Sequence, residues 1–98
     1  MKRKYTEILF DAPELRCWIA FRLHSGGAIT GHYKADDRQT YHNTAPLCKD
    51  WLECEDGKVD QEGLYTLLGH ATGWNVTQVL TETCLKAIHE LQALGRKA

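Results

Sequence analysis

The chain has 98 residues, of which 43% are hydrophobic and 26% charged, and its formal net charge is −1. These values exclude wholesale disorder, point to a single domain over residues 1–98 with one modest core, and remove bulk electrostatic attraction to nucleic acid as a binding force. The charges are unevenly placed: Lys2, Arg3, Lys4, Arg16 and Arg22 make the beginning basic, while Asp36, Asp37, Asp50, Glu53, Glu55, Asp56, Asp60 and Glu62 make the middle acidic. Such polarity suits docking onto a complementary protein surface, although an ordinary solvated surface accounts for it more readily. No apolar run reaches the roughly 18 residues needed to span a bilayer, and the start lacks the apolar stretch of a signal peptide. A cytoplasmic protein with reduced thiols is therefore expected, in which the sequon Asn75-Val76-Thr77 serves a helix start and carries no glycan.

In chain order, Thr6, Ile8 and Phe10 alternate with Tyr5, Glu7 and Leu9, and Asp11-Ala12-Pro13-Glu14 supplies a turn. A second strand follows, with Cys17, Ile19, Phe21 and Leu23 on one face and Arg16, Trp18, Ala20, Arg22 and His24 on the other. Ser25-Gly26-Gly27 closes a hairpin. Its returning strand turns Ile29, Gly31, Tyr33 and Ala35 inward, and Thr30, His32 and Lys34 outward. Asp36 to Asn43 reads as loop. Thr44 is expected to cap a short helix with Pro46 in its first turn, an apolar edge of Leu47, Cys48, Trp51 and Leu52, and an end at Asp56-Gly57. Asp60 caps a further helix through Leu64, Leu67 and Leu68 that stops near Gly73.

The last third predicts a long helix. Asn75 is its expected cap, Gln78 the third helical residue, and Trp74 with Val79 a hydrophobic staple. Val76, Val79, Leu80, Cys84, Ile88, Leu91 and Leu94 form its apolar stripe, and Gly95 its stop. The fold class expected is α+β: a small antiparallel sheet of two to three strands followed by two or three helices, the last one long.

Four cysteines (Cys17, Cys48, Cys54, Cys84) and five histidines (His24, His32, His42, His70, His89) raise the question of metal. Structural zinc favours closely spaced ligand pairs, and no two of these cysteines have C-x-x-C spacing. No metal site and no cofactor are expected. Ser25, the single serine, sits in the hairpin, no glycine-rich phosphate loop occurs, and the carboxylates lie on polar stretches. No catalytic residue is assigned, and the chain is read as a non-enzyme.

Two segments could bind something. Leu68-Gly69-His70-Ala71-Thr72-Gly73-Trp74-Asn75-Val76-Thr77-Gln78-Val79 resembles a helix-turn-helix, which implies a small DNA-binding regulator whose second helix enters the major groove. Against it, Glu82 stands at a position that family fills with an apolar residue. Thr77, Gln78, Thr81 and Glu82 also present no base-reading arginine. The other segment is the outward hairpin face: Trp18, Arg22, His24, His32 and Lys34 combine an aromatic anchor with cations, the residue types that dominate protein interfaces.

As a whole, from Met1-Lys2-Arg3-Lys4 through Lys4-Tyr5-Thr6-Glu7-Ile8-Leu9-Phe10 and Leu15-Arg16-Cys17-Trp18-Ile19-Ala20-Phe21, with tryptophans at 18, 51 and 74, the chain resembles the lambdoid-phage anti-RecBCD accessory proteins. The resemblance implies a phage protein in the host cytoplasm that binds the host recombination nuclease and modulates it. Because nuclease inhibitors that mimic DNA should be strongly acidic, a net charge of −1 leaves docking on a protein surface as the route.

Overall fold

The computed structural model describes residues 5–12, 16–34, 40–48 and 59–97. Four strands, β1 (Tyr5–Ala12), β2 (Cys17–His24), β3 (Ile29–Lys34) and β4 (His42–Cys48), pair in sequence order as an antiparallel meander. Two helices follow, α1 (Gln61–Thr72) and α2 (Gln78–Lys97). The architecture is α+β, with the long helix last, as the periodicities predict.

β2 positions everything else. Its inward residues Cys17, Ile19 and Phe21 are fully buried and join Ile29 and Leu47 from the neighbouring strands. Leu64, Leu67, Leu68 and Ala71 of α1 and Leu80, Cys84, Ala87, Ile88 and Leu91 of α2 complete one hydrophobic cluster. Both helices thus pack on the same face of the sheet. The β2–β3 turn is closed by His24 and Gly27, whose carbonyl and N–H lie 2.8 Å apart, and Gly27 takes a positive φ of 93° that costs glycine nothing.

The sheet has one strand more than expected. His42 to Cys48 is strand, so the helix predicted from Thr44 does not form over Thr44–Cys48; its continuation through Trp51 and Leu52 to Gly57 lies outside the described residues. The reason is packing above Gly31. That glycine leaves a gap which Leu47 and Leu67 fill, and strand pairing with β3 is what brings Leu47 over it. Pro46, which would suit a helix's first turn, is equally tolerated on an edge strand. Pairing with β3 is irregular there, with register shifts on either side of Thr30.

α1 begins as predicted. Asp60 Oδ1 accepts from the Gly63 N–H at 2.9 Å, and the Asp60 N–H donates to the Leu47 carbonyl, tying the helix start to β4. It ends at Gly73 in the left-handed conformation, with the Trp74 N–H donating to the Gly69 carbonyl at 2.7 Å. α2 starts two residues later than its sequence suggests. Thr77, not Asn75, is the cap: its hydroxyl accepts from the Leu80 N–H at 3.1 Å. The Trp74–Val79 staple is absent, since Val79 is 73% exposed and Trp74 packs back on α1. The stripe holds at Leu80, Cys84, Ile88 and Leu91, gains Ala87, and fails at the exposed Leu94. Gly95 lies within the helix and does not stop it.

Candidate functional site

The face of the sheet opposite the helices carries the polar and aromatic residues of the strands. Alternation along β2 presents Trp18, Ala20, Arg22 and His24 there. The pairing register sets Lys34 across from Trp18, His32 across from Ala20 and Thr30 across from Arg22. From the other side β1 sets Asp11 across from Trp18, Leu9 from Ala20, Glu7 from Arg22 and Tyr5 from His24. The five predicted contact residues therefore do share one face.

Arg22 is at its centre. Its Nε donates to Glu7 Oε2 at 2.7 Å, and the two side chains are only 19% and 10% exposed. The guanidinium lies 4.5 Å from the centre of the Tyr5 ring and 5.7 Å from that of Tyr41. A cation held between a carboxylate and two ring faces is strongly positioned, because charge pairing and cation–π attraction add in partly desolvated surroundings. Burial, assisted by Glu7 and opposed by Arg22, raises the Tyr41 pKa, so its phenol stays protonated.

Beside it runs a hydrogen-bonded chain of three side chains. Thr30 Oγ1 lies 2.7 Å from His24 Nε2 and 2.7 Å from His32 Nε2. A hydroxyl has one proton and two acceptor lone pairs, so at most one of the two rings accepts from Thr30, and any ring that does not accept donates its Nε2–H to it. His32 is buried at 3% exposure, which separates it from the other four. It supports the face from beneath and offers a partner no contact area. Burial lowers its pKa to about 4, with the charges of Arg22 and His24 acting in the same direction and Glu7 against. Trp18, Arg22, His24 and Lys34 are all half-buried.

The strand pattern missed three members of this face. Glu7 and Tyr5 were legible as one side of an alternating strand, and a register would have placed them beside Arg22 and His24. Tyr41 lies just before β4 and has no periodic signal, so only the fold brings its ring to Arg22.

On the helical side, α1, the turn through Thr77 and α2 form a helical corner. Its closure differs from the expected apolar pair. Trp74 adopts φ 69°, unusual for a bulky side chain, and its ring lies so close to Gly69 that any Cβ there would collide with it. Tyr65 and His70 flank the indole, with ring centres 5.7 Å from it in each case. At the exposed start of α2, Gln78 Nε2 donates to Glu82 Oε1 at 3.0 Å.

Cys17 and Cys84 are buried in the core with both thiol pKa values raised by burial, Cys84 to about 12, so they act as small apolar groups. Among the described residues no three His, Cys, Asp or Glu side chains converge as metal ligands would, and no helix is long and apolar enough to cross a membrane. Compared with known protein families, with curated proteins and with solved structures, the chain matches none.

Proposed function

We propose that this chain is a non-enzymatic binding module that docks on a protein through the sheet face opposite its helices. The observation that carries this is the placement of Trp18 and Lys34 as cross-strand neighbours beside the ordered Arg22–Tyr5–Tyr41 group, on the face away from both helices. An aromatic ring and cations held in place lose little conformational freedom on binding, which favours affinity. The resemblance to the lambdoid-phage anti-RecBCD accessory proteins makes the host RecBCD nuclease the partner to test, with modulation of that nuclease in the host cytoplasm as the outcome of docking.

The experiment is equilibrium binding of the full chain to the intact nuclease complex. Trp18→Ala and Lys34→Glu should each weaken binding about tenfold or more. Undiminished binding by both variants would remove this face from the interface, and no binding by the unaltered chain would remove the nuclease as partner.

A second reading, a small helix-turn-helix DNA-binding regulator, draws support from the short turn between α1 and α2. The Gln78–Glu82 hydrogen bond weighs against it, because it occupies the glutamine and keeps a carboxylate where phosphates would approach. DNA affinity over a salt series separates the two: a steep slope belongs to the regulator, negligible binding to the module.

A further inference from the structure

The two edges of the sheet are defended differently. β4 carries Pro46 and pairs irregularly with β3, and both features discourage addition of another strand. β1 pairs with β2 without a shift from Tyr5 to Ala12, contains neither proline nor lysine, and among the described residues has no strand on its other side. Each of its faces carries an aliphatic side chain near the middle of the strand: Leu9 is 45% exposed on one, between Glu7 and Asp11, and Ile8 is half-buried on the other. A long, regular edge of this kind, with an aliphatic centre, is a template for a further strand.

Charge placement decides whether β1 can pair with itself. In an antiparallel pair about a two-fold axis normal to the sheet, residues directly opposite share a face, so each register is defined by the residue on the axis. Centring on Glu7 sets that carboxylate against its own copy. Centring on Leu9 sets Glu7 against Asp11. Both put carboxylates directly opposite one another, which is less favourable than an apolar pair even though Arg22 of the same copy partly offsets the Glu7 charge. Centring on Ile8 sets Ile8 against Ile8, Glu7 against Leu9 and Tyr5 against Asp11, moving like charges to diagonal positions while pairing the strand from Tyr5 to Asp11. Axes further toward either end pair a shorter stretch.

We propose that this chain forms a two-fold dimer in which β1 pairs antiparallel with β1 of a second copy, Ile8 lying on the axis. The result is a continuous eight-stranded sheet, in which Leu9 of each copy is covered beside Glu7 of the other. The dimer uses the strand edge and leaves Trp18 and Lys34 accessible, so it stands whether or not the face proposed above binds a partner.

Sedimentation equilibrium on the full chain over a concentration series tests it, with circular dichroism confirming that each variant folds. The unaltered chain should show a concentration-dependent monomer–dimer equilibrium. Leu9→Glu places a second carboxylate opposite Glu7 twice per dimer and should weaken association about tenfold. Leu9→Lys, equal in lost apolar surface but opposite in charge, should associate at least as well as the unaltered chain. A monomer at all concentrations, open-ended association, or equal weakening by both substitutions would each overturn the proposal, the last because simple loss of apolar contact would not distinguish the two signs.

Discussion

On one face of β2, Cys17, Ile19 and Phe21 are buried, and the helices α1 and α2 close over them. On the other face, Trp18, Arg22 and His24 are half-buried, with Arg22 held by an ion pair and ring contacts and His24 by a hydrogen-bonded chain. Packing depends on volume, whereas the outer arrangement depends on charge and protonation. The same strand should therefore fail in two ways, by size on one side and by pH on the other.

The sharpest break between the faces comes from Phe21. It is the largest fully buried side chain of the core, so Phe21→Ala should cost about 3–5 kcal/mol in a urea titration through lost transfer energy and the cavity left behind. A small loss would mean that the helices collapse onto the sheet to fill the space.

The next largest effect belongs to the outer face and appears only when the pH is lowered. Because the folded His32 pKa is about 4 against an ordinary 6.5, the unfolded chain binds more protons between those values. The stabilisation is complete above pH 6.5 and is lost as the pH falls toward 4, by up to about 3 kcal/mol in total. His32→Gln removes the titrating group, so the unfolding free energy of this variant should fall less than that of the unaltered chain between neutral pH and about pH 5. Equal losses would show that another group governs the acid response.

This asymmetry between the faces also explains what the sequence could reveal. The β2–β3 hairpin was legible because strict alternation flanked a Ser25-Gly26-Gly27 turn, and each of the five candidate contact residues fell on the face predicted. Burial of His32 was not legible, since it depends on Arg22, His24 and Thr30 arriving around it from two strands. β4 was misread because Thr44 and Pro46 are suited to a helix start and to an edge strand alike, and the choice was made by Leu47 packing over Gly31. At the start of α2, Asn75 and Thr77 are both good caps by residue type, and the sequence pattern does not choose between them; the structure uses Thr77. Function was less legible than fold, because an aromatic and cationic face limits the kind of partner without naming it.

An inward position of the opposite kind tests the size rule from the other direction. A Cβ at Gly31 would stand 2.5 Å from Leu67 Cδ1 and 2.8 Å from Leu47 Cδ1. Gly31→Ala should therefore destabilise by about 1–3 kcal/mol through overpacking, with no added pH dependence. A neutral result would show that the two leucine ends move aside at little cost, and that the inner face is less rigid than its burial implies.

The smallest effect should come from Lys34, at the end of β3 across from Trp18. Its half-exposed ammonium belongs to the face proposed to meet a partner, and it lies away from the helical core. Reversal of such a surface charge ordinarily changes stability by within about 0.5 kcal/mol, because water screens both the original charge and its replacement. Lys34→Glu should thus unfold at nearly the same urea concentration as the unaltered chain while binding its partner more weakly. That separation is what makes this variant informative: Phe21→Ala would weaken binding merely by unfolding the chain, whereas Lys34→Glu can do so only by changing the surface. If Lys34→Glu instead lost as much stability as Gly31→Ala, the outer face would be part of the folding core, and a binding defect could no longer be assigned to lost contact.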